Sequence, residues 1–201
     1  MTIERRMTPG GEVKVETREG KGPMLVGYGA VFHRAEDPGT EFNLARDLKE
    51  RISPTAFTRA IQDKHDARAL FNHDPNMILG RVGNGTMRLT ADSVGLRYEI
   101  DLPDTQVGRD VAASVARGDI TGSSFAFRVK RQQFTKGEGF DVRTIEDVDL
   151  LDTGPVVFPA YTSTTTGTRA GDCADAFEAR DEWRKRQEAI AVRLRLIEID
   201  A

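Results

Sequence analysis

Cysteine is almost missing from this chain: Cys173 is the single one in 201 residues, which excludes an intramolecular disulfide and any zinc site built from several cysteines. A reducing, cytoplasmic setting fits that count. Long apolar runs are missing as well, for no segment approaches the roughly eighteen consecutive apolar residues of a membrane span. The charged start, Met1 to Arg6, has no apolar run behind it of the kind a signal peptide needs. The sequence therefore reads as neither exported by a signal peptide nor embedded in a membrane. Basic charge is not in excess either: 29 Lys and Arg face 32 Asp and Glu, for a net charge of -3. That balance argues against nucleic acid as the main ligand. Histidine is scarce, and His33, His65 and His73 show no His-Glu-x-x-His spacing, so no metal site is expected. Gly27-Tyr28-Gly29-Ala30 lacks the third glycine and the following helix of a dinucleotide loop, and Gly80, Gly83 and Gly85 lack the lysine of a phosphate loop. No cofactor is expected.

What remains is a strand-rich chain with enough apolar content, 38%, for one good core. Val13 and Val15 alternate with polar neighbours, and a Gly-Lys-Gly turn leads to a second strand over Met24 to Phe32. Residues 33 to 49 read as loop. Ser53-Pro54 has the form of a helix cap and first helical position, with Phe57, Ala60 and Ile61 as a short apolar face. A strand from Ala67 to Phe71 follows, then a hairpin of Thr86 to Ala91 with Leu96 to Leu102. Thr105 and Gly118 bracket a helix whose Val107, Val111 and Val115 share a face. Ile120 to Lys130 is a strand, and Val142 to Phe158 is one long strand or two, broken at Gly154-Pro155. The polar run Thr162 to Thr168 reads as linker, which puts a domain over 1–161, a linker over 162–171 and a helical tail over 172–201. In the tail, Trp183, Ile190, Leu194 and Ile197 fall roughly on one stripe, fitting either a helix packed on its own domain or one that binds a partner. Strands with few helices argue for an antiparallel barrel or sandwich.

Three stretches carry possible chemistry: Asn72-His73-Asp74, Gly122-Ser123-Ser124-Phe125, and the acidic run Glu146 to Asp152. A serine hydroxyl is a weak nucleophile until a base takes its proton, and the base works best when a third group fixes its tautomer. Strand parity separates the serines, because Ser123 shares a face with Phe125 and Phe127 whereas Ser124 shares the other with Ala126 and Arg128. Ser124 is then the candidate nucleophile, although an ordinary exposed strand serine has the same pattern. Among the histidines, His65 lies in a charged helix end and His33 at a strand terminus. His73 stands out, because Asp74-Pro75 restricts its backbone. Asp147 and Asp149 share one strand face opposite Val148 and Leu150, and strict alternation puts Asp152 on the core side. Leu150-Leu151 breaks the alternation, however, and one bulge there would turn Asp152 outward beside the other two. Parity leaves three acids open.

Taken with Ile52 to Phe57, Gly27 to Phe32, Leu79-Gly80-Arg81 and Val156 to Tyr161, these stretches resemble the prohead maturation proteases of tailed bacteriophages. The blocks cover about residues 24 to 161 in order, with Ala126 where relatives usually have glycine. The resemblance implies a fold like that of the herpesvirus assemblins, an antiparallel β-barrel ringed by helices, within a mainly β, α+β class. It implies a serine endopeptidase with Ser124 as nucleophile, His73 as base and Asp152 as the third member, at the position where many relatives carry glutamate. It further implies a place in the host cytoplasm inside the assembling prohead, action on the major capsid protein with its scaffold segment and on itself, and a homodimer. The rival expectation is a non-catalytic assembly protein on the same fold.

Overall fold

The computed structural model describes residues 2–8, 12–157 and 174–199. Its organising element is β11 (Asp141–Val156), antiparallel along its length to β10 (Gly122–Lys136). On its other edge β11 takes two partners, both parallel: β5 (Leu48–Ile52) beside Asp141 to Ile145, and β6 (Arg68–Leu70) beside Asp152 and Thr153. Between them the chain crosses over through α1 (Thr58–Gln62), which fills the gap along β11. With β1 (Glu4–Thr8) on β10, β4 (Glu41–Ala45) on β5 and β7 (Ile78–Arg81) on β6, these strands make a seven-stranded sheet. A second sheet of four runs β2 (Lys14–Arg18), β3 (Lys21–Val31), β9 (Gly95–Asp101) and β8 (Met87–Ala91). The mainly β, α+β expectation is met, but among the described residues the pairing closes no ring. The antiparallel barrel is corrected to two open sheets, and the α1 crossover is what lets β5 and β6 run in the same direction along one edge of β11.

The core fills the space between the sheets. Phe57 meets Phe125 edge to face at 5.6 Å, and Phe125 stacks on Phe127 at 4.9 Å. Burying rings of this size dominates such a core, and their pairing adds roughly 0.5–1.5 kcal/mol each beyond area. A second cluster packs Leu25, Tyr98, Ile100 and Leu79 against Val111 and Val115 of α2 (Gln106–Arg117). That helix begins and ends as its sequence requires: the Thr105 side chain accepts from Gly108 N–H, and Gly118 takes φ 86 at the C-terminus.

Several local expectations fail for stated reasons. The supposed loop 33–49 holds β4, and β5 begins at Leu48. In β5 the inward positions alternate as Leu48, Glu50 and Ile52, so a buried glutamate masks the apolar period. β1 was hidden the same way, because its inward residues are Glu4, Arg6 and Thr8. Arg6 bonds Glu50 and Glu4 at 2.6 Å each, and Arg143 bonds both glutamates at 2.7 Å. This buried quartet is charge-balanced. α1 begins at Thr58 rather than at Pro54, with no side-chain cap, because Ser53 is held in turns that precede it. β11 runs unbroken through Gly154-Pro155.

The tail forms α3 (Ala174–Ile199), whose first half docks. Trp183 stacks on Phe134 at 5.8 Å, Arg184 pairs with Asp141 at 2.5 Å, and Ala176 is fully buried. Ile190 and Leu194 are exposed. The expected linker, 162–171, lies outside the described residues. No described helix is long and apolar enough to cross a membrane.

Candidate active site

Ser124 lies in the middle of a three-strand register, opposite Met7 of β1 and Gly154 of β11. Its parity is the one the sequence indicates. Ser123 turns inward and meets the buried Tyr98 hydroxyl at 2.7 Å, where burial pushes the phenol pKa up. Ser124 turns to the opposite face. Its carbonyl accepts a hydrogen bond from the buried Thr153 hydroxyl at 2.8 Å, which fixes the strand on which the nucleophile sits.

The carboxylate arrives by a bulge. β10 and β11 pair Ala126 with Asp152 but Phe127 with Leu150, so one extra residue, Leu151, stands on β11. From there the parity of β11 reverses, and Asp152 shares the face of Ala126 and Ser124. The bulge that Leu150-Leu151 raises as a possibility in the sequence is present in the structure.

The imidazole comes from a different direction. β6 lies parallel to the last part of β11, and the turn that follows it carries Asn72 and His73, both with left-handed backbone at φ 54 and φ 58. For histidine that conformation costs of order 1–3 kcal/mol and must be held by its surroundings. Holding it are Asp74 N–H to Phe71 O at 3.0 Å, Phe71 N–H to Met77 O at 3.1 Å, Asn72 N–H to Pro155 O at 3.1 Å, and Val157 N–H to Asn72 Oδ1 at 2.9 Å. Gly154 permits the approach: a Cβ there would lie closer than 3.0 Å to the Leu70 carbonyl oxygen.

The three groups meet in one line. His73 Nδ1 bonds Asp152 Oδ1, and His73 Nε2 lies 2.6 Å from Ser124 Oγ. His73 and Asp152 side chains are each 13% exposed, whereas Ser124 is buried at 1%, so the imidazole and the carboxylate reach the surface and the hydroxyl lies beneath them. An ionised carboxylate only accepts, so Nδ1 carries the proton toward Asp152, and in the neutral ring Nε2 is left as the acceptor. The serine hydroxyl then has two acceptors before it, Nε2 at 2.6 Å and the Arg6 carbonyl at 2.9 Å.

The other candidates are placed elsewhere. Asp147 and Asp149 are bound by Arg59, whose Nε lies 3.0 Å from Asp147 and whose Nη2 lies 2.8 Å from Asp149. Lys130, then Arg59, hold the Asp149 carboxyl below its usual range. His65 Nε2 meets the same guanidinium at 3.0 Å. His33 is beside Thr40 at 3.5 Å, with burial lowering its pKa. Among the described residues no group of His, Cys, Asp and Glu converges in a way that would hold a metal ion.

The sequence profile of the caudovirus prohead serine proteases matches residues 11–179. The chain belongs to this family. Among solved structures, the prohead protease chain is similar to the bacteriophage T4 capsid assembly protease, at TM-score 0.47 and 17% identity over 79% of this chain and 97% of that one. No curated protein matches it. Four contributors to this candidate site were not found by reading the sequence. Gly154 showed only as part of an expected strand break with Pro155, and Thr153 gave no signal. Asn72 showed only as a polar neighbour of His73. The Arg6 carbonyl left no signal at all, because a backbone acceptor has no residue type.

Proposed function

We propose that this chain is the serine endopeptidase of an assembling phage head, cutting the scaffold segment from the major capsid protein and cutting itself. The reading rests on one observation, the unbroken relay from Ser124 through His73 to Asp152. In the reaction Ser124 Oγ attacks the scissile carbonyl as its proton passes to His73 Nε2. Asp152 then faces an imidazolium, whose charge it stabilises and whose ring it keeps aimed at the serine. The leaving amine takes the proton back from Nε2, and water repeats the sequence on the acyl-enzyme. In this reading residues 1–161 are the protease domain and 162–171 tether the tail, which is a segment for removal or for docking on the scaffold.

Expression with the cognate capsid protein tests it. Mass spectrometry of assembled heads is expected to show shortened capsid protein, and shortened protease, with wild type but full-length chains with Ser124→Ala. Identical masses from the two, where heads assemble, would sink the proposal.

A further inference from the structure

β6 pairs with β11 in parallel register, Arg68 opposite Asp152 and Ala69 opposite Thr153. In a parallel ladder one residue gives its N–H to the carbonyl before its partner and receives the N–H after it. Asn72 does this around Val156, beyond the end of β6: its N–H donates to Pro155 O at 3.1 Å, and Val157 N–H donates to its side-chain Oδ1 at 2.9 Å. The side-chain oxygen stands where a strand's main-chain carbonyl would be. The main chain is thereby released from the ladder, and it is at this residue that φ becomes positive and His73 is lifted toward Ser124.

Asparagine and aspartate are the residues suited to the post, since each has an oxygen at this reach and tolerates left-handed backbone. Alanine has neither property, and glycine only the second.

We infer that Asn72 is a positioning residue of the proposed protease: its side chain imitates a strand carbonyl on β11, so the turn carrying His73 is clamped to the strand carrying Asp152. The inference rests on the serine protease reading above. Without the clamp the turn remains covalently attached to β6, but His73 loses its fixed distance to a carboxylate four residues before the clamp's centre at Val156. Binding of a substrate is untouched, whereas proton transfer is slowed.

A fluorophosphonate probe tests this without a known substrate, because its phosphorus is captured by an activated serine with loss of fluoride. The rate of capture at saturation and the concentration for half-saturation are measured separately for wild type, Ser124→Ala, Asn72→Asp, Asn72→Ala and Asn72→Gly. Asn72→Ala and Asn72→Gly are expected to lose at least about tenfold in saturating rate, toward the roughly hundredfold that a 1 Å misplacement costs. Their half-saturation should be unchanged, while Asn72→Asp keeps most of the rate. The downfield imidazole N–H resonance of His73, present in wild type and Asn72→Asp, should be lost in Asn72→Ala and Asn72→Gly with the rest of the spectrum folded. Full rate in Asn72→Gly would assign the effect to backbone conformation and overturn the clamp, as would full rate in Asn72→Ala. Capture that survives Ser124→Ala would instead refute the protease reading itself, so the two failures are distinct.

Discussion

Gly154→Ala adds one carbon at the point where β6 and β11 come closest. That carbon would lie closer than 3.0 Å to the Leu70 carbonyl oxygen and 3.3 Å from the Leu70 carbonyl carbon and nitrogen, all backbone atoms that no rotamer change can move. Restoring ordinary contact requires the strands to part by on the order of 1 Å. Overpacking of this kind costs about 1–3 kcal/mol, and loss of glycine's freedom in the unfolded chain returns about 0.4–1 kcal/mol. The net loss of about 1–2 kcal/mol corresponds to a fall in Tm of roughly 2–8 °C for a chain of this size. The larger effect is on chemistry. Leu70 leads directly to the His73 turn, whereas Asp152 and the partner of Ser124 are on the other strand, so the same 1 Å opens the relay and should slow cleavage by about a hundredfold. Gly22→Ala is the control, since its nearest neighbour, Leu102 O, is at 3.9 Å. Capsid-protein cleavage followed over time, with thermal unfolding of the same samples, measures both. Cleavage by Gly154→Ala within threefold of wild type would refute the close approach as the reason for glycine there.

Asp152→Asn should lower the cleavage rate by about 10⁴, as loss of the orienting carboxylate does in such relays. Asp149→Asn should leave the rate within about threefold, because Asp149 is bound by Arg59 and Lys130 and not by His73. Ser123→Ala keeps the nucleophile but strands the buried Tyr98 hydroxyl, so it should cost about 1–3 kcal/mol in denaturant unfolding with cleavage retained. Glu50→Gln removes one charge from the buried quartet, with an expected loss of about 3–5 kcal/mol at neutral pH. Burial pushes the Glu50 carboxyl up, but Arg6 and Arg143 outweigh it and hold it below its ordinary 4.5. Its stabilisation is therefore full above pH 4.5 and lost as pH falls through the lower folded value. Tm followed from pH 6 to pH 3 should drop more steeply in wild type than in Glu50→Gln.

Which parts of this architecture the sequence reveals depends on whether a strand's inward face is apolar. β8, β9 and β10 bury Met87, Tyr98, Ile100, Phe125 and Phe127, and alternation alone locates them. β1 and β5 alternate just as regularly, but Glu4, Arg6 and Glu50 occupy inward positions, so a reading that equates charge with solvent leaves β1 unassigned and takes the start of β5 for loop. The error is not local. Those charges neutralise one another only after β1 and β5 have been brought to β11 and Arg143, and that is information about tertiary pairing which no window along the chain contains. The site shows the same division. Parity gave the face of Ser124, which is on a regular strand, and it left Asp152 open, because the bulge at Leu151 is set by how β11 pairs with β10. There it was the resemblance that singled out Asp152 among the three acids, and in the structure its carboxylate bonds His73. His73 is legible as a turn histidine from Asp74-Pro75, but its aim is a property of three strands at once: β6 carries it, β11 clamps it through Asn72, and Gly154 lets the two approach.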